Sequence, residues 1–177
     1  MFRSLAFVFT VLLLSARLTA EQKRLSFPGV EEAAAPTGPF VLRYIKPASS
    51  ESEHEVRIVD RSKGSSCWSY RFLRQVDALW SSDGGAVALT DWTGSNLADL
   101  IVVFPTQKCR AVSIPDALVR SLGKSVLPKD SNHMYYEATS WRTPTVLEFK
   151  VWGDSGSISP LGKFEPLPEV RKGNADR

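Results

Sequence analysis

Apolar and polar residues alternate with a period of two along most of this chain, in short runs separated by turn-forming clusters, as half-buried strands require. FVLRYIK (40–46) alternates, EVRIVD (55–60) runs into the turn Arg61-Ser62-Lys63-Gly64, and CWSYRFL (67–73) follows. VDALWS (76–81) meets Ser82-Asp83-Gly84-Gly85, where the Asp-Gly pair predicts a hairpin, and AVALTDW (86–92) returns. LIVVF (100–104) is apolar throughout, the pattern of a strand covered on both faces, and CRAVSI (109–114) comes next. MYYEATSW (134–141) and TVLEFKVW (145–152) make another hairpin across Arg142-Thr143-Pro144, with Leu147, Phe149 and Val151 on one face and Glu148 and Lys150 on the other. One helix interrupts the strands. Ser113 to Asp116 has capping-box spacing with Pro115 in the first turn, Leu118, Val119 and Leu122 form a stripe, and Gly123 ends it.

The two ends of the chain break this pattern. Residues 1–20 carry Arg3, a twelve-residue apolar stretch from Leu5 to Ala16 and a small residue at Ala20, which predicts a cleaved signal peptide. As a helix that stretch spans about 18 Å, short of a bilayer core of about 30 Å. An uncleaved anchor is the alternative. Residues 21–38 show no periodicity and are expected as a flexible lead-in, and residues 155–177, with Pro160, Pro166 and Pro168, as an extended tail. A single β domain is expected over 39–154.

Comparison of the chain with itself shows an internal repeat. LWSSDGGAVALTDWTG (79–94) aligns with SWRTPTVLEFKVWGD (140–154), matching Trp80 with Trp141 and Trp92 with Trp152. The hairpins before them correspond too, which gives two units of four strands, 55–99 and 100–153. The string WSSDGGAVALTD resembles the Trp-Ser-x-Asp-Gly hairpin of TolB-like and WD40-like β-propeller blades. A closed propeller needs four or more blades, and the chain has room for about two. The resemblance therefore implies two four-stranded antiparallel blade-like units, packed as an open pair or a β-sandwich, with one short inserted helix. It also implies a binding scaffold and transfers no catalytic residue. The outer sheet edges would need covering, by FVLRYIK, by the tail around Phe164, or by a homodimer.

Charge and cysteine content narrow the setting. The apolar fraction of 43% and charged fraction of 23% exclude wholesale disorder. The net charge is +3, and without Arg3 and Arg17 of the signal it falls to +1, so no nucleic-acid footprint is expected. No later segment is apolar enough to span a membrane. The only two cysteines, in an oxidising compartment, favour a Cys67–Cys109 bridge, with two buried thiols as the other outcome. Each begins the second strand of its unit, so the bridge would join the two units.

Candidate chemistry is sparse. Gly153-Asp154-Ser155-Gly156 matches the core around the nucleophile of chymotrypsin-like serine proteases, and His54, then Asp91 or Asp99, then Ser155 run in that family's order. His54, however, sits in the charged stretch Glu51-Ser-Glu-His-Glu55, and Ser157 replaces the second glycine of that loop. A strand-ending turn explains the motif. No metal site or cofactor is expected: His54 and His133 are isolated, and Asp91, Asn96 and Asp99 in the loop DWTGSNLAD match no EF-hand spacing. Trp92, Asn96, Asp99 and Trp152 lie at strand ends beside glycine-containing loops and are the candidate binding residues; the two tryptophans there either form a binding rim or cap the core. The function expected is an exported, non-catalytic binding module in the periplasm or medium, of the inhibitor kind, engaging another protein or an extracytoplasmic ligand. A small serine hydrolase using Ser155 is the alternative.

Overall fold

The strands expected from the alternation are present in the computed structural model, sorted into successive antiparallel meanders. The structure describes residues 22–49, 53–123 and 133–153, together with the backbone of 162–164. The first meander is β2 (Glu32–Ala34), β3 (Phe40–Ile45), β4 (His54–Asp60) and β5 (Ser65–Phe72), a four-stranded sheet in chain order. The second runs β6 (Val76–Trp80), β7 (Val87–Asp91), β8 (Leu97–Phe104) and β9 (Arg110–Ser113), each antiparallel to the last. The helix α1 (Ile114–Leu122) then leads to β10 (Met134–Thr143), β11 (Val146–Gly153) and β12 (Gly162–Phe164), the third meander. A short parallel contact of β8 with β10 joins the second and third into one mixed sheet, and β1 (Leu25–Phe27) pairs with the free edge of β6.

Two cores explain why the middle meander is so apolar. Leu42, Val56, Ile58 and Phe72 of the first meander meet Val76, Ala78, Trp80, Val87, Leu89 and Val103 of the second. The opposite face of the second, Leu79, Ala88, Leu100 and Val102, packs on Tyr136, Ala138, Trp141, Leu147 and Phe149 of the third. β6 and β7 are consequently buried at every position. The outer face of the first meander is instead laced with ion pairs, Arg43–Glu32, Arg61–Glu32, Arg57–Glu55 and Lys63–Asp60. A polar outer face of that kind ends a stack of sheets.

The chain is mainly β with one short inserted helix, and it holds a four-stranded antiparallel sheet, as expected. The boundaries between sheets differ from the expected units 55–99 and 100–153. They fall after β5 and after β9, two strands earlier than expected. The segment Leu73-Arg74-Gln75 is as short as a hairpin turn yet carries the chain from one sheet to the next, whereas the expected boundary between 99 and 100 falls inside β8, which 92–96 joins to β7 as a hairpin. FVLRYIK is the second strand of its sheet and covers no outer edge. The segment expected as a flexible lead-in holds β1 and β2, with Phe27 fully buried and Ala33 1% exposed. In the tail, β12 pairs with the outer edge of β11, in line with the covering role expected near Phe164. The expected signal peptide and Ser155 lie outside the described residues.

Local chemistry accounts for the turns. Asp83 accepts from Gly85 N–H at 2.9 Å and from Ser81 Oγ at 2.7 Å, and the β6–β7 turn closes through Ser81 N–H on Ala86 O. Gly84 sits at φ +67°, and a Cβ there would come within 2.4 Å of Thr37 O, so this turn nests on the β2–β3 turn only because it is glycine. Ser113 caps α1 by accepting from Asp116 N–H, and Gly123, at φ +82°, donates to Val119 O at its end.

Candidate functional site

The five tryptophans divide by environment. Trp80 and Trp141 are core residues, 6% and 4% exposed, and each indole N–H donates to a buried main-chain carbonyl, Ala33 O at 3.1 Å and Leu79 O at 2.9 Å. Trp68 is half-buried and stacks on Tyr70, with ring centroids 5.8 Å apart. Trp92 and Trp152 stay half-buried at strand ends. Their rings lie 6.4 Å apart, and Tyr135 stacks on Trp152 at 5.1 Å and 15°.

This cluster is assembled from both the second and third meanders. Trp92 follows β7 and is pinned twice, its N–H to Gln75 O and its indole N–H to Asp77 Oδ2, both at 2.9 Å. Tyr135 and Trp152 are register partners on β10 and β11, so their side chains share one face. The Tyr135 hydroxyl donates to Ser95 O at 2.6 Å, tying β10 to the loop after Trp92. Two exposed leucines stand at the same end: Leu73, 64% exposed, two residues before Gln75, and Leu97, 47% exposed, paired with Met134. The result is an apolar, conformationally restrained surface around three rings.

Of the candidate residues, Trp92 and Trp152 come together. Asn96 shapes the supporting loop, since its carbonyl accepts from Met134 N–H at 3.0 Å and its Oδ1 lies against Gly94. Asp99 stands apart from the rings, opposite Asp91 in the β7–β8 register. Burial pushes the Asp91 carboxyl up, with Asp99 adding to the effect and the Tyr70 bond opposing it. Among the described residues no group of three or more histidine, cysteine or acidic side chains could hold a metal ion. Tyr135 was not among the candidates; the signal for it was the alternation of MYYEATSW, which puts it on the face opposite Tyr136, but its pairing with Trp152 is a matter of register.

Two residues of the hydrolase alternative, His54 and Asp91, have partners of their own. His54 Nδ1 lies 2.7 Å from the Tyr44 hydroxyl, with its ring against Phe72, and Asp91 Oδ2 accepts from Tyr70. Cys67 and Cys109 form a disulfide, with Cα atoms 5.8 Å apart, joining β5 to the residue before β9. In comparisons with known proteins, the chain matches no family model, no curated protein and no solved structure.

Proposed function

We propose that the chain is an exported, non-catalytic binding module that engages another protein through the surface around Trp92, Tyr135 and Trp152. The observation that carries this reading is the contrast among tryptophans. Trp80 and Trp141 are sealed into the core, while Trp92, pinned by Asp77, and Trp152, stacked on Tyr135, are left half-exposed. Rigid aromatics with a dry face and a wet one supply binding energy at little entropic cost. Exposed Leu73 and Leu97 at the same end extend the apolar area. The disulfide is compatible with an oxidising compartment, and no helix among the described residues is long and apolar enough to cross a membrane. The succession of antiparallel meanders supports a blade-like reading, with three units in place of two.

The test is affinity capture from the source's exported proteome with the mature protein, beside Tyr135→Ala and Trp152→Ala. A partner retained by the native protein and lost at least about tenfold by both variants, with melting temperatures within a few degrees, is the expected result. Equal retention by all three proteins overturns the assignment of the surface. Labelling by a fluorophosphonate that vanishes in Ser155→Ala overturns the non-catalytic reading.

A further inference from the structure

Asp91 closes β7 with its side chain at the seam between the first and second meanders. It is 2% exposed; Oδ2 accepts from the Tyr70 hydroxyl of β5 at 2.7 Å, and Oδ1 is buried with no hydrogen-bond partner among the described residues. Its register partner on β8 is Asp99, so two carboxyl groups stand side by side on neighbouring strands. Its partner on β6 is Val76, which brings no charge. Beyond Asp99 the groups in play are Asp116 of α1, which acts on Asp99, and Tyr136 of β10, a phenol pushed up to about 12 by burial and then by Asp99. Among the described residues, neither Asp91 nor Asp99 forms an ion pair with a lysine or arginine.

An ionised carboxylate in that position would have one donor, a like charge beside it and no access to water. Such a group exchanges its hydration for far too little, and the neutral acid is the form the site accommodates. Protonation removes the charge that the site would otherwise have to bury. We propose that the seam carries a proton latch: Asp91 is a carboxylic acid while the seam is closed, and its ionisation loosens the first meander from the second at the Tyr70 contact.

The sign of the pH dependence follows from the upward shift. A carboxyl raised in the folded state contributes stability that is complete below its unfolded value of about 3.9 and is lost as pH rises toward the folded value. The Asp91 contribution is therefore greatest in acid and fades as pH rises, the reverse of Glu32, Glu55 and Asp60, whose carboxyls their partners hold below the usual range.

Thermal melting of the oxidised mature protein from about pH 4 to about pH 8 tests this, with native, Asp91→Asn and Asp99→Asn proteins compared with and without calcium. The native melting temperature should fall by several degrees across that range, and the fall should shrink to less than half in Asp91→Asn. Asp99→Asn, at an exposed position, should give an intermediate slope because the like charge is gone. The readout is the slope, so a uniform loss of stability in either variant does not obscure it, and Asp99→Asn serves if Asp91→Asn does not fold. Equal slopes in the foldable proteins overturn the latch. A calcium-dependent rise in native melting temperature that Asp91→Asn abolishes also overturns it, by showing that a cation rather than a proton occupies the site.

Discussion

The seam between the first and second meanders and the seam between the second and third start from one device and are finished differently. In each, a tryptophan on the first strand of a meander donates to a main-chain carbonyl on the first strand of the meander before it, Trp80 to Ala33 and Trp141 to Leu79. Leu79 is the residue next to Trp80, so the contacts repeat in step along the stack. The first seam is then closed at its opposite margin by the Cys67–Cys109 disulfide, between β5 and the start of β9, the last strands of their meanders. The second seam has no covalent link. Ala138 N–H bonds Thr90 Oγ1, and Gln22 and Arg24 reach the β10 main chain at Trp141 and Ala138. Its far end opens onto the three half-exposed rings. The first seam is locked covalently, while the second is held by packing and hydrogen bonds, among them the β8–β10 contact and the Tyr135 bond to Ser95 O beside the rings.

The sharpest test of this difference is the disulfide. The cysteines are 42 residues apart, for which the chain-entropy model gives about 4 kcal/mol. Reduction should lower the melting temperature by roughly ten degrees. Amide exchange should accelerate in β4 and β5 well before it does in β10 and β11. Unchanged exchange in β4 and β5 would mean that the first seam does not depend on its second margin.

Next in size, Trp80→Phe and Trp141→Phe each leave a buried carbonyl without its donor and remove part of a ring, at about 2–3 kcal/mol apiece by chemical denaturation. With the disulfide intact the two should cost similar amounts. After reduction Trp80→Phe should cost more than before while Trp141→Phe stays the same, because only the first seam has a covalent link to lose. Strict additivity of Trp80→Phe with reduction would break the comparison.

The smallest effect probes the second seam from outside. α1 contributes Ile114 and Leu118 to the core shared by the second and third meanders, and Ser113 caps it. Ser113→Ala should cost about 1 kcal/mol in a urea melt and leave the rate of disulfide reduction unchanged. A faster reduction would show that the two seams are not independent.

Much of the local structure was legible because it rests on contacts a few residues apart. The Ser81–Ala86 hairpin follows from Asp83 and two glycines, α1 from Ser113 and Gly123, and the two-sided burial of β8 from LIVVF. Of the residues matched in the self-comparison, Trp80 and Trp141 are both core residues bonded to main-chain carbonyls, whereas Cys67 is exposed within β5 and Cys109 is buried just before β9. The brackets around the units were not legible. β2 is three residues long, has alanines where the later meanders have tryptophan, and so left no signal of a further unit. The Trp92–Tyr135–Trp152 group was half legible: two of its members mark strand ends, while the third depends on which strand lies beside which.

By itself, then, the order of residues determined the mainly β character, the turns, the helix and its caps, and the pairing of the two cysteines, since each follows from short-range sterics, hydrogen bonding or the absence of any other partner. The tertiary structure alone decided which turns close a hairpin and which pass to a new sheet, because a three-residue connection such as Leu73–Gln75 is sterically capable of both and only the cores on either face of the middle meander select between them. It also decided that Asp91 is sealed against Tyr70 while Asp99, its neighbour in the ladder, remains exposed. Burial depends on what the other sheets bring to a position, and no local pattern of side chains carries that information.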